Sequence, residues 1–185
     1  MDAAKAQDIL DQIMGQITNY KNPFTLEQFQ AKYAFDVRLP HQVNDSTTGQ
    51  VTWSQSINPT KYITVENAWN HPEYWEKPEK TQFTSIEDII TAWNDINYTA
   101  TERYLDSLNV AECDNIYGCE DVYRSQDLRN CKKALFSDGV GDSELIAACQ
   151  RSNTIQNSVR VEDSNSCTNS FSVVWSKKIV NSMFI

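Results

Sequence analysis

The stretch Ser107-Leu-Asn-Val110-Ala-Glu-Cys113-Asp-Asn-Ile116-Tyr-Gly-Cys119-Glu-Asp-Val122-Tyr-Arg-Ser125 decides the fold. Every third residue in it is small or aliphatic, and the same register runs unbroken to Ile185. Of its 27 positions 10 are Ser, 5 are Cys and 12 are Val, Ile, Leu or Ala, whereas all 18 charged side chains of residues 107–185 fall between them. That separation sorts the segment into residues that face inward and residues that face water. Small and aliphatic inward residues mostly alternate, which gives a six-residue unit. The phase slips by one triplet at Cys149-Gln-Arg-Ser152 and then resumes.

A strict period of three winds around the surface of an α-helix and alternates faces on a flat strand, so neither element accommodates it over 79 residues. A stack of short rungs around one narrow core does. The segment therefore predicts a β-solenoid, or parallel β-helix, with a three- or six-residue repeat. Asn, Asp and Gly between the inward positions suit its corners. A rung of ~18–24 residues and ~4.8 Å per rung predict a shaft ~15–20 Å tall. Inward serines must bond backbone or one another to offset desolvation. The cysteines read chiefly as small core filler, with a disulfide between rungs and a metal site as the alternatives. No histidine lies in the segment to complete a zinc site.

This repeat resembles the short-period β-solenoid repeats of tailed-phage structural proteins, over residues 107–185 and in repeat style. The resemblance implies a non-enzymatic virion protein, of head-fibre, capsid-decoration or tail-associated type. It would be made in the host cytoplasm and carried on the virion, with capsid or other virion proteins as partners and self-association as a homo-oligomer. The hexapeptide solenoid of acyltransferases spaces its inward residues two and four apart, unlike this chain. A solenoid enzyme acting on acyl groups or polysaccharide, and a cellular solenoid scaffold, are the alternative readings.

Residues 1–106 predict an α+β attachment domain that ends where the solenoid begins. Ala3, Ala6, Ile9, Leu10, Ile13, Met14 and Ile17 form one stripe of a helix over residues 2–20, capped by Asp2. That stripe serves either as core of its own domain or as a docking surface for a partner. Thr25-Leu-Glu-Gln28 and Ser85-Ile-Glu-Asp88 are capping boxes that open two further helices. Ile86, Ile89, Ile90 and Trp93 give the second of these its apolar face. Val51–Ser56 and Lys61–Trp69 read as strands, 71–78 as an aromatic loop, and Thr99–Leu108 as a short helix capping the first rung. Trp53, Trp69, Trp75 and Trp93 suggest a small core anchored by aromatics, or a stacking surface for sugar.

The net charge of −9 argues against nucleic acid and anionic membranes as partners, and most of it lies in residues 1–106. No signal-peptide core and no bilayer-length apolar run occur in the sequence. His41 and His71 lie in separate loops, no glycine-rich phosphate loop or nucleophile elbow is present, and no cofactor, metal or catalytic residue is expected. Off-register Phe171, Val174, Trp175, Val180, Met183 and Phe184 should face away from the late core. They mark either a partner interface or the seat of a returning segment of the same chain. The chain stops in register at Ile185 without a cap, so continuation beyond it is expected.

Overall fold

The computed structural model describes residues 1–58, 60–71, 82–172, 174 and 176–183. From residue 104 to residue 177 the chain winds a β-solenoid of about six turns. Its strands pair in parallel at a fixed offset: Tyr104 with Ile116, Val110 with Val122, Val122 with Ala134, Ser152 with Ser164, and Ser164 with Ser176. One turn is thus twelve residues, with four inward positions. This corrects the longer rung expected from the sequence and lengthens the shaft to ~29 Å at ~4.8 Å per turn.

The tight turn has a backbone cause. Asp106, Asn109, Glu112, Asn115, Gly118, Asp121, Arg124, Asp127 and Asn130 all adopt left-handed φ, between 49° and 62°. Each stands immediately before an inward residue, so the chain bends once per triplet and closes after four bends. Asn, Asp and Gly tolerate this conformation best, which explains their frequency there. From Thr154 through Arg160, Ser166 and Ser172 to Lys178 the left-handed residues come six apart, and the strands Ser152–Val159 and Ser164–Phe171 lengthen to eight residues. The one-bend-per-triplet pattern already lapses after Asn130, with residues 133, 142 and 151 not left-handed, and the regular spacing of six sets in beyond the phase slip at Cys149–Ser152. As far as Cys131 both kinds of inward residue follow a bend. Above the slip the bends precede Ile155, Val161 and Cys167, whereas Ser152, Ser158, Ser164 and Ser170 follow none.

Every in-register residue from Cys113 to Ser170 is buried. Three of the serines bond backbone: Ser125 Oγ donates to the Tyr123 carbonyl at 3.0 Å, Ser137 Oγ to the Gln126 carbonyl at 2.9 Å, and Ser143 Oγ to the Gly141 carbonyl at 2.6 Å, while Ser152 and Ser164 pair with the sulfurs of Cys149 and Cys167. Ser158 and Ser170 find no partner among the described residues. Cys113, Cys149 and Cys167 are buried free thiols, and burial pushes the Cys113 and Cys149 thiols up to about 12, so they act as filler. Cys119 and Cys131 behave otherwise. They occupy the same corner of successive turns, Cα–Cα 5.2 Å, and are joined as a disulfide. The filler reading is corrected for this pair.

Among the described residues four helices accompany the shaft: α1 (Ala3–Thr18), α2 (Leu26–Tyr33), α3 (Val65–Asn70) and α4 (Ile86–Ile96). Helix α1 starts at the Asp2 cap and ends at Asn19 in left-handed conformation. Helix α2 has the expected Thr25/Gln28 capping box. Both lie on one flank of the solenoid. Ala6, Ile9, Leu10, Ile13, Met14, Leu26 and Phe29 form a single hydrophobic cluster with Tyr123, Leu135, Phe136, Ala147 and Val159. Ala111, Tyr123, Leu135, Ala147, Val159 and Phe171 are the outward residues of one face, each one turn above the last, and all join this cluster. Polar ties frame it. The Arg160 guanidinium donates to both oxygens of Asp36 at 3.0 and 2.7 Å and to the Tyr33 carbonyl at 3.0 Å. Lys5 pairs with Asp121 at 2.5 Å.

At the base, His41–Asn44 and Val51–Ser54 form an antiparallel hairpin. Lys61–Thr64 pairs in parallel with Tyr98–Thr101. Strands therefore occupy 98–101 and 104–105, where the sequence predicts a capping helix, and Lys61–Trp69 is a strand only as far as Thr64 before α3 begins. Buried Asp45 ties these pieces together. Its carboxylate accepts the backbone N–H groups of Thr47 and Thr64 and the Asn67 amide, each at 2.8–2.9 Å. Burial works to raise its pKa, but these bonds outweigh it and hold the carboxyl well below the usual range. Buried Asp114 joins the base to the first turns by accepting Arg103 Nε and Nη2, both at 3.0 Å, and the Gln55 N–H at 2.9 Å.

Candidate functional site

Helix α4 has no buried residue, unlike α1, α2 and α3. Ser85 caps it through a box closed by Asp88, as the sequence predicts. Hydrogen bonds from Thr84 and Ser85 lower the Asp88 carboxyl, which keeps it charged at the positive end of the helix. Ile86, Ile89, Ile90, Trp93 and Ile96 recur at helical spacing and are 70%, 50%, 53%, 60% and 54% exposed. Phe83, just before the helix, is also exposed. Together they present on the order of 600 Å² of apolar surface, at the upper end of what monomers leave in water. Glu87, Asp88 and Asp95 provide an acidic border, and the Lys61 ammonium donates to the Asp95 carbonyl at 3.2 Å.

The two patches singled out from the sequence fare differently. Ile9, Leu10, Ile13 and Met14 are buried against the solenoid of the same chain. The stripe is therefore spent internally, because the outward apolar column offers it a continuous seat. Of the two roles open to the stripe, packing within the chain is the one seen, and it is against the solenoid flank that Ile9, Leu10, Ile13 and Met14 are buried. Ile17 is half-buried at the edge of that cluster, and Phe171 packs on it too, so a segment of the same chain covers Phe171. The two meet in a groove of about 720 Å³ between the end of α1 and the upper turns, with Tyr20, Phe24 and Tyr33. Val174 is half-buried and Val180 71% exposed. Met183 lies in the strand Ser182–Met183. Trp175 and Phe184 lie outside the described residues, as do residues 72–78 of the aromatic loop with its Trp75.

The remaining chemistry-bearing residues stand apart. His41 lies edge-on to the Tyr62 ring in the hairpin, while His71 caps the end of α3. Asp36 is engaged by Arg160 and Asp45 by backbone. Burial raises the Glu102 carboxyl. Trp69 and Trp93 are exposed, which replaces the expected aromatic-anchored core with the cluster beneath α1 and α2. Among the described residues no group of three or more His, Cys, Asp or Glu is placed to hold a metal ion, and no helix is long and apolar enough to cross a membrane. No family model, no curated protein and no solved structure matches this chain.

Proposed function

We propose that the chain is a non-enzymatic structural protein of a virus particle, a head-fibre, capsid-decoration or tail-associated component. In this reading its mixed helix–strand front half is the attachment unit and its solenoid is a short rigid shaft. The observation that carries the reading is the apolar face of α4, five large side chains at helical spacing left in water on a helix that buries none of its residues. Leaving such a face exposed is costly for solubility, and a docking partner removes that cost. The acidic border of α4 fits a partner groove rimmed by Lys or Arg. The shaft supports a structural role because its rungs are held by backbone ladders, buried inward residues and a covalent tie between turns. The repeat style of the solenoid points to the particle setting.

The test is co-sedimentation of the purified chain with particles from its source, alongside an Ile89→Glu/Trp93→Glu double variant. Wild type should saturate a fixed number of sites, and the variant should bind more than ~30-fold more weakly with unchanged melting, since two central anchors are lost. Absence of the protein from particles, together with no saturable binding to them, would overturn the proposal.

A further inference from the structure

One turn of the solenoid departs from its own repeat. On one face the outward residues of successive turns are Tyr117, Arg129, Gly141 and Asn153, and the neighbouring corner carries Asn115, Asp127 and Gly139. A single turn thus lacks both side chains. The backbone departs at the same place. Tyr117 pairs with Arg129 and Gln126 with Asp138 at the usual offset of twelve, but Arg129 pairs with Asp142, an offset of thirteen. The register slips by one residue here and is back at twelve by Leu135 and Ala147, a local irregularity that re-aims neighbouring groups. Gly141 is required by close approach, whereas Gly139 leaves space that a side chain could fill. A Cβ on Gly141 would stand 3.3 Å from Asn153 Cα and Thr154 N, so the next turn closes over it. Gly139 has φ +70° and open space beside it.

The result is a notch of about 710 Å³, within the range of small-ligand sites. Its walls carry Tyr117, Arg129, Asn130, Asn115, Asp127 and Asn153. We propose that this notch binds a neutral, hydroxyl-rich sugar chain. The amides of Asn115, Asn130 and Asn153 supply donors and acceptors together, as vicinal hydroxyls require. Tyr117, 43% exposed, offers a ring face for the C–H surface of a sugar. Asp127 and Arg129 cancel in charge, so the site selects no ion. Asp127 is fixed in place by the Asn115 amide and by the Gln55 amide, the latter at 2.9 Å in the orientation that satisfies both of its ends. An extended peptide is disfavoured because Leu128 and Val140 keep their side chains in the solenoid core, leaving no apolar pocket for its residues. A nucleic acid meets one Arg on a chain of net charge −9. The assignment does not depend on whether the chain belongs to a particle.

The experiment titrates the full chain with malto-, cello- and chito-trioses and a β-galactotriose, read by saturation-transfer NMR and calorimetry, with a mixed tripeptide library as a competing probe. Two variants leave the core untouched: Tyr117→Ala, and Gly139→Asn, which keeps a residue tolerant of left-handed φ while filling the notch. At least one trisaccharide should bind saturably at millimolar concentration or below. Each variant should weaken it by about tenfold with unchanged melting. No saturable sugar binding, binding untouched by both variants, or preferential binding of peptide would each overturn the assignment.

Discussion

Replacing Ile13 by Ala tests whether α1 and the solenoid are one cooperative body. Ile13 is fully buried in the cluster that α1 shares with Leu135, Phe136 and Ala147. The change removes three carbons, or ~2.4 kcal/mol of transfer free energy at ~0.8 kcal/mol per carbon. The void adds up to ~1.8 kcal/mol if about 75 Å³ stays open at ~24 cal/mol per Å³. The loss is therefore ~2.4–4.2 kcal/mol. With a urea slope of ~2–3 kcal/mol/M, the midpoint should fall by about 1–2 M. The assay is urea unfolding read by far-ultraviolet circular dichroism and by tyrosine fluorescence, the latter reporting partly from Tyr123 on the solenoid flank. Both probes should give one coincident transition that moves as a unit, while Asp8→Ala on the exposed side of α1 shifts it by less than ~0.5 kcal/mol. Two separate transitions with the solenoid midpoint unmoved would refute the reasoning, and so would a loss under ~1 kcal/mol.

Further outcomes follow from the core. Opening the Cys119–Cys131 link, by reductant or by Cys119→Ser, should cost ~2.8 kcal/mol on the loop-entropy account for a tie spanning twelve residues; thiol titration of the unfolded, unreduced chain should count three free thiols, and a count of five would remove the link. Ser158→Ala should leave stability unchanged or raise it by ~1 kcal/mol, because its hydroxyl is buried without a described partner, whereas Ser137→Ala should lower it by a similar amount by removing a bond to Gln126; thermal melts of the pair decide this by their opposite or null signs. Asp36, held low chiefly by the Arg160 hydrogen bonds, and Asp45, held low by its bonds against the opposing effect of burial, have depressed folded values. Their contribution is present above the unfolded value of ~3.9 and lost as pH falls through the lower folded values, so urea midpoints should drop between about pH 4 and pH 2, and Asp36→Asn should flatten part of that drop while weakening the fold at pH 7.

The inward register was legible because every third residue is confined to small or aliphatic types, and burial in the structure follows it from Cys113 to Ser170. Turn length was not legible there, since a period of three fits any multiple of three. The signal for it lies in the residues between the inward positions. Ala111, Tyr123, Leu135, Ala147, Val159 and Phe171 are apolar at a period of twelve, and that column is the seat of α1. Without the turn length, nothing in the spacing of Cys119 and Cys131 brings them together. Residues 98–105 carry no periodic signal, and their extended form comes from pairing with Lys61–Thr64 and Ile116–Tyr117, distant partners that local propensity cannot report. The amphipathic patterns of α1 and α4 look alike in sequence. What separates them is the partner, a solenoid flank for one and water for the other. The notch leaves only the trace of two glycines close together, which by themselves read as a turn.

The two periods of the shaft set a rule for its length. Adding or removing one triplet keeps every inward residue inward, because the core repeats every three residues. It also rotates everything above the change by a quarter turn. The apolar column would then break, with Val159 and Phe171 carried round to a solvent face and Arg160 carried away from Asp36. A change of twelve restores both the core and the flank. The solenoid by itself is continuously extendable, but wrapped by its own N-terminal helices it can lengthen or shorten only by whole turns.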